Sequence, residues 1–212
     1  MSVRVKVCGI TRLEDALLAA AAGVDAIGFN FVEGSPRRVV PELARDMGAA
    51  LPPFLTRVGV FADERPEVME NAARIAGLNC LQLHGDETPE ICAALSMPWY
   101  KAHRVTPGFL PEEVARYSSG TFLLDGYARG QKGGTGRTFD WSVARRAAVY
   151  GRVILAGGLT PRNVAGAIAA ARPYAVDVNS GVETAPGRKD AALMRRFVLR
   201  AKGAAGAREA RP

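Results

Sequence analysis

The sequence lacks any apolar run approaching the roughly 20 residues that a membrane-spanning helix needs. Its opening, MSVRVKV, has neither the apolar stretch nor the small-residue cleavage site of a secretory signal. Cysteine is scarce. Cys8, Cys80 and Cys92 form an odd set with no CxxC, which argues against both a disulfide framework and a zinc ribbon and points to a reducing cytoplasm. Histidine is scarcer still, with His84 and His103 alone and no HExxH, so no metal site is expected. Neither a GxGxxG after the first apolar run nor a P-loop ending in GKS or GKT is present.

Basic stripes with interleaved aromatics are also missing, although the net charge is +7. Residues from Arg195 onward contribute +5 of it and the first 194 residues only +2. The surplus therefore belongs to the C-terminal end and not to a nucleic-acid-binding face. The stretch 203–212 has no apolar periodicity beyond alanine and reads as a frayed basic tail.

What is present is alternation. Runs rich in Val, Ile and Phe occur near 3–8, 26–31, 55–61, 80–84, 99–103, 121–125, 152–156 and 175–179. Between and after them lie segments of helical spacing at 12–22, 41–50, 66–76, 88–95, 111–117, 142–149, 162–171 and 190–202. Pro41, Pro66, Pro89, Pro111 and Pro161 stand near helix starts, where a missing N–H costs little. Thr11, Thr88 and Thr160 are candidate N-caps, and Thr11 with Glu14 has the spacing of a capping box. Eight strand–helix repeats predict an α/β fold, a (β/α)8 barrel forming a single domain over 1–202. An open doubly wound sheet is the structural alternative.

Strand periodicity sorts the charges. Val3, Val5 and Val7 share one face of the first strand, which turns Lys6 and Cys8 to the other, toward the barrel interior. Val176 and Val178 likewise stand opposite Asp177 and Asn179. Closure makes strands one and eight neighbours, so Lys6 and Asp177 are expected to pair. The pair either serves the site or simply neutralises two buried charges.

Two late segments have the composition of an anion site. In LAGGLTPRN and DVNSGVE, glycines at strand ends let backbone N–H groups converge, and barrels commonly hold phosphate on the loops after strands seven and eight. Gly157, Gly158, Ser180 and Gly181 are the phosphate candidates; two ligand-free glycine turns are the alternative. A longer glycine-rich stretch over 125–141 follows strand six and reads as a covering loop, with Gly130, Gly133, Gly134 and Gly136 for movement and Phe139 and Trp141 as anchors. Its Lys132 and Arg137 either face the phosphate or solvate the loop.

Cys8 ends strand one and Asp125 ends strand six, with the phosphate loops between them around the barrel. A phosphorylated substrate held there would extend its carbon skeleton between thiol and carboxyl, an arrangement for acid–base chemistry. The thiol needs positive potential to ionise near neutrality, for which Lys6 is the nearest source. An inert buried thiol is the alternative for Cys8; Cys80 and Cys92 read as core. Gln82 and His84 share a strand face and are expected to line the substrate cavity. Arg37, in EGSPRRV, is placed to clamp a second anion such as a carboxylate. Its neighbour Arg38 is the competitor for that role.

Together VKVCGIT, GFNFVEGSPRRV, LQLHGDE, LLDGYARGQKGGTGRTFDW, LAGGLTPRNV and DVNSGVE resemble the phosphoribosylanthranilate isomerases of tryptophan biosynthesis, in the family's order over residues 4–200. The resemblance implies a cofactor-free (β/α)8 barrel performing an Amadori rearrangement of N-(5-phosphoribosyl)anthranilate. It implies Cys8 as general base, Asp125 as general acid and Arg37 as the holder of the anthranilate portion. Valine replaces a frequent isoleucine in VKVCG and Asn179 a frequent serine; neither change removes a catalytic group. A small phosphorylated partner, a monomer or homodimer, and no nucleic-acid or membrane partner follow. Another phosphosugar barrel enzyme, an epimerase or lyase, is the alternative, as is a non-catalytic phosphometabolite-binding barrel.

Overall fold

A computed structural model describes residues 3–126 and 139–209. The glycines and the two cations of the expected covering loop, residues 130–137, lie outside the described residues. Eight parallel strands close into a barrel in chain order. They are β1 (Arg4–Val7), β2 (Ala26–Asn30), β3 (Thr56–Phe61), β4 (Cys80–Leu83), β5 (Trp99–Val105), β6 (Thr121–Gly126), β7 (Arg152–Leu155) and β8 (Ala175–Val178). The β1–β8 register sets Lys6 directly opposite Asp177 and Val5 opposite Val176, so closure aligns the two polar faces. An antiparallel hairpin, β9 (Glu183–Ala185) with β10 (Arg188–Lys189), follows β8. The helices are α1 (Leu13–Ala21), α2 (Pro41–Ala49), α3 (Pro66–Ala76), α4 (Pro89–Ala93), α5 (Ser142–Ala147), α6 (Val164–Ala171) and α7 (Ala191–Glu209). None of the described helices is long and apolar enough to cross a membrane.

The outer layer is the larger apolar one. Val5, Val7, Val176 and Val178 pack with Ala16 and Ala19 of α1 and with Met194 and Phe197 of α7. A smaller cluster including Val58, Tyr100, Leu123 and Ile154 fills the barrel interior. Phe139 and Trp141 pack against the outer core, returning the chain to the helix layer as expected.

Three local expectations need correction. Thr11 does not cap α1. The N-cap is Arg12, with no side-chain bond, and Thr11 Oγ1 instead donates to the Gly187 carbonyl at 2.6 Å. Asp15, not Glu14, is the structural carboxylate: it takes Arg12 at 2.7 Å and the Lys189 N–H at 3.0 Å, tying the hairpin to α1. Second, the helix expected over 111–117 is one 3-10 segment, Pro111–Arg116, between Gly108 and Gly120. Third, the last helix continues to Glu209 where a tail was expected to fray from 203. Alanine, lysine and arginine are strong helix formers, and an isolated glycine costs only about 1 kcal/mol.

His103 faces Tyr117, Phe122 and Phe109, with ring centroids 5.2, 6.4 and 6.1 Å away. Burial, assisted by the Lys101 charge, lowers its pKa to about 4. The unfolded chain takes up this proton near pH 6.5 and the folded chain only near 4, so stability falls as pH drops through that interval. Thermal melting of His103→Phe against the parent should show the parent losing up to about 3 kcal/mol more between pH 7 and pH 4. Parallel losses in the two proteins would contradict this account of His103.

Candidate active site

All nine residues singled out as site candidates line one cavity of about 500 Å³ at the C-terminal ends of the strands. Cys8 follows β1, and its room comes from a residue the sequence reading passed over. A Cβ at Gly28 of β2 would stand 2.7 Å from Cys8 Sγ and 3.1 Å from Lys6 Cε. A lone glycine within a strand is the usual mark of such a close approach. Gly9 is also constrained: its φ is +72°, and a Cβ there would meet Arg37 Cδ at 2.6 Å and Asn179 Oδ1 at 2.7 Å.

Lys6 and Asp177 pair at 2.8 Å within the barrel, both side chains buried. Lys6 also donates to Gln82 Oε1 at 2.9 Å, and the Tyr100 hydroxyl donates to the same oxygen at 2.9 Å. Burial pulls the Lys6 pKa down, but Asp177 outweighs it and holds the ammonium charged well above its ordinary range. Asp177 Oδ1 is buried and has no partner among the described residues.

Lys6 does not bring Cys8 below the ordinary thiol range. Burial, the largest influence, pushes the thiol up; Lys6 and more distantly Lys189 pull it back, while Asp177 adds to the rise. The net direction is upward, because the thiol is buried and Asp177 offsets part of the lysine's field.

On the opposite flank, Asp125 Oδ2 lies 3.4 Å from His84 Nε2, and His84 Nδ1 lies 2.7 Å from Gln82 Nε2. The turn carrying His84 is held by Lys101 of β5, which donates to the Gly85 carbonyl at 2.7 Å and pairs with buried Glu87 at 3.2 Å.

Arg37 lines the cavity while Arg38 is exposed. Its guanidinium already has a protein carboxylate: Nη2 and Nε donate to Glu183 at 2.6 and 2.9 Å. Lys189 of β10 joins the same carboxylate at 2.7 Å and reaches Asn179 Oδ1 at 2.9 Å. Burial pushes Glu183 up, yet the Arg37 and Lys189 contacts outweigh it and hold the carboxyl below its ordinary range. Two cations and one carboxylate leave one positive charge at this edge of the cavity. Asn179 thus sits as an acceptor for Lys189.

The glycine turns after β7 and β8 are conformationally demanding. Gly157 and Gly158 have φ of +80° and +64°, and a Cβ at Gly157 would collide with the Gly126 backbone and approach Asp125 Oδ1 to 2.8 Å. Gly181 packs so closely on the Leu159 carbonyl that a Cβ has no room. Among the described residues, the N–H groups of Gly157 and Gly158 donate to no protein acceptor. No group of three or more His, Cys, Asp or Glu among the described residues is placed to hold a metal ion.

Comparison with known proteins agrees with this geometry. Residues 5–200 match the family model for N-(5'-phosphoribosyl)anthranilate (PRA) isomerase. The N-(5'-phosphoribosyl)anthranilate isomerase of Geobacter sulfurreducens is 51% identical over 201 residues, covering 95% of this chain and 99% of that one. A crystal structure of phosphoribosyl anthranilate isomerase in complex with reduced 1-(o-carboxyphenylamino)-1-deoxyribulose 5-phosphate superposes with a TM-score of 0.86 at 42% identity, covering 95% and 99% of the two chains. Monomers generated from the dimeric enzyme of Thermotoga maritima give the same TM-score, identity and coverage. Barrel, cavity and sequence together make this chain a member of the phosphoribosylanthranilate isomerase family.

Proposed function

We propose that Cys8 is the general base and Asp125 the general acid of the reaction this chain catalyses. That reaction is the conversion of N-(5-phosphoribosyl)anthranilate to 1-(2-carboxyphenylamino)-1-deoxyribulose 5-phosphate. The observation that carries the assignment is the sharing of one cavity by the two groups and by the glycine turns after β7 and β8. Asp125 protonates the ribose ring oxygen as the anilino nitrogen pushes the C1–O bond open, forming an iminium. Cys8, as thiolate, then takes the C2 proton, giving an enolamine. Protonation at C1 and loss of the C2 hydroxyl proton complete the ketone.

The remaining groups support binding. Gly157, Gly158, Ser180 and Gly181 fit a phosphate, the first two through N–H groups with no protein acceptor among the described residues. Gln82 and His84 line the same cavity and suit contact with the sugar. The residual positive charge of Arg37, Lys189 and Glu183 suits the anthranilate carboxylate, bound beside an arginine already oriented by its pairing. Buried Asp177 Oδ1 suits a donating sugar hydroxyl. Three free cysteines fit a reducing compartment such as the cytoplasm. We also propose a homodimer, as described for the Thermotoga relative, with Phe54 as an anchor: it is 98% exposed on a loop stiffened by Pro52 and Pro53.

Cys8→Ala and Asp125→Ala should each keep the fold and bind the reduced product analogue while losing about 10²- to 10⁴-fold in turnover, followed as loss of substrate fluorescence. Near-parental turnover in either variant would remove that residue from its role. In the free enzyme, alkylation of Cys8 by iodoacetamide, mapped by mass spectrometry, should rise with a midpoint above the ordinary thiol value of about 8.5. Gly28→Ala should cost about 1–3 kcal/mol of stability by crowding the Cys8 sulfur, together with turnover. Sedimentation should show a dimer that Phe54→Glu converts to monomer; a monomeric parent chain would end the dimer proposal.

A further inference from the structure

We infer that Gln82 is a positioning residue that fixes the tautomer of His84, so that a neutral imidazole donates its Nε2 hydrogen to Asp125. The tautomer is argued from hydrogen-bonding capacity alone; its importance for turnover rests on the assignment of Asp125 as the acid.

An ammonium can only donate, so the Gln82 atom 2.9 Å from Lys6 Nζ must be the amide oxygen. Tyr100 donates to that same oxygen, and burial keeps the phenol protonated by raising its pKa well above the ordinary value. With two donors on Oε1, the amide nitrogen is turned toward the other side, where it meets His84 Nδ1 at 2.7 Å. An amide nitrogen carries hydrogens and accepts none, so Nδ1 must be the acceptor. A neutral ring with a bare Nδ1 has its hydrogen on Nε2, and Nε2 is the atom 3.4 Å from Asp125 Oδ2. A second proton, on Nδ1, would point at the amide hydrogens.

The chemical consequence falls on Asp125. The Nε2 hydrogen faces Oδ2 across 3.4 Å, so the transferable proton belongs on Oδ1, the oxygen beside Gly157 and the β7 turn. Once that proton has gone to the substrate, the His84 N–H steadies the carboxylate left behind. The same lysine that lies beside Cys8 on the inward face of β1 thereby orients the acid through two side chains, without touching it.

The test is long-range proton–nitrogen NMR on protein labelled with ¹⁵N-histidine. The chain has two histidines, and His103→Gln identifies which signals are His84. The expected spectrum shows a hydrogen on Nε2 and a bare Nδ1; a hydrogen on Nδ1, alone or with one on Nε2, overturns the inference. Gln82→Glu replaces the amide donor by an acceptor, and Nδ1 should then gain a hydrogen. An unchanged His84 spectrum in that variant would show that Gln82 does not set the tautomer. His84→Asn should lower kcat about 10- to 100-fold, the worth of a hydrogen bond to a charged group, with KM changing less than about threefold. Parental kcat in His84→Asn overturns the positioning role. Parental turnover in Asp125→Ala would instead overturn the acid assignment, while the NMR result would stand on its own.

Discussion

The 2.8 Å contact between Lys6 and Asp177 is the interaction on which the site is built. It joins the first strand to the last, so it forms only when the barrel closes, and it places two opposite charges beneath the cavity. Neither charge is tolerable alone at that depth. From the pair, one branch leads to Cys8, whose thiol feels the lysine directly. The other leads through Gln82 to His84 and Asp125. The proposed base and the proposed acid, on opposite flanks of one cavity, therefore share a common support.

The second constraint is steric. Gly28, Gly9, Gly157 and Gly181 each stand where a methyl group would overlap Cys8, Arg37 and Asn179, or the backbone. The site is thus a set of approaches closer than any side chain allows. Around it, Arg37, Glu183, Lys189 and Asn179 bind β8 and its hairpin to the loop after β2, giving that edge a fixed shape and a net positive charge.

Much of this was legible from local pattern. Alternation at Val3, Val5 and Val7 turned Lys6 and Cys8 inward, and strand order brought Asp177 to Lys6. Paired glycines marked the turns after β7 and β8. What escaped depended on distance along the chain. Glu183, which also holds Lys189, meets Arg37 from a hairpin about 150 residues away, and no local spacing announces such a partner. His84 is separated from Asp125 by 41 residues, so its 3.4 Å approach to that carboxylate was visible only as membership of the same cavity. Thr11 had the look of a cap, but a carbonyl from the same hairpin takes its hydroxyl. Gly28 did carry a signal, as an isolated glycine in an otherwise apolar strand.

The central claim is that the buried lysine sets the chemical character of the cavity, beyond neutralising Asp177. It is tested most directly in Lys6→Met/Asp177→Asn, which removes both charges and strands neither. The measurement is the pH midpoint of Cys8 alkylation in the free protein. Lys6 is the larger of the two electrostatic influences on Cys8. The midpoint should therefore move further into the alkaline range than in the parent chain. A midpoint that stays in place or moves down would contradict the account.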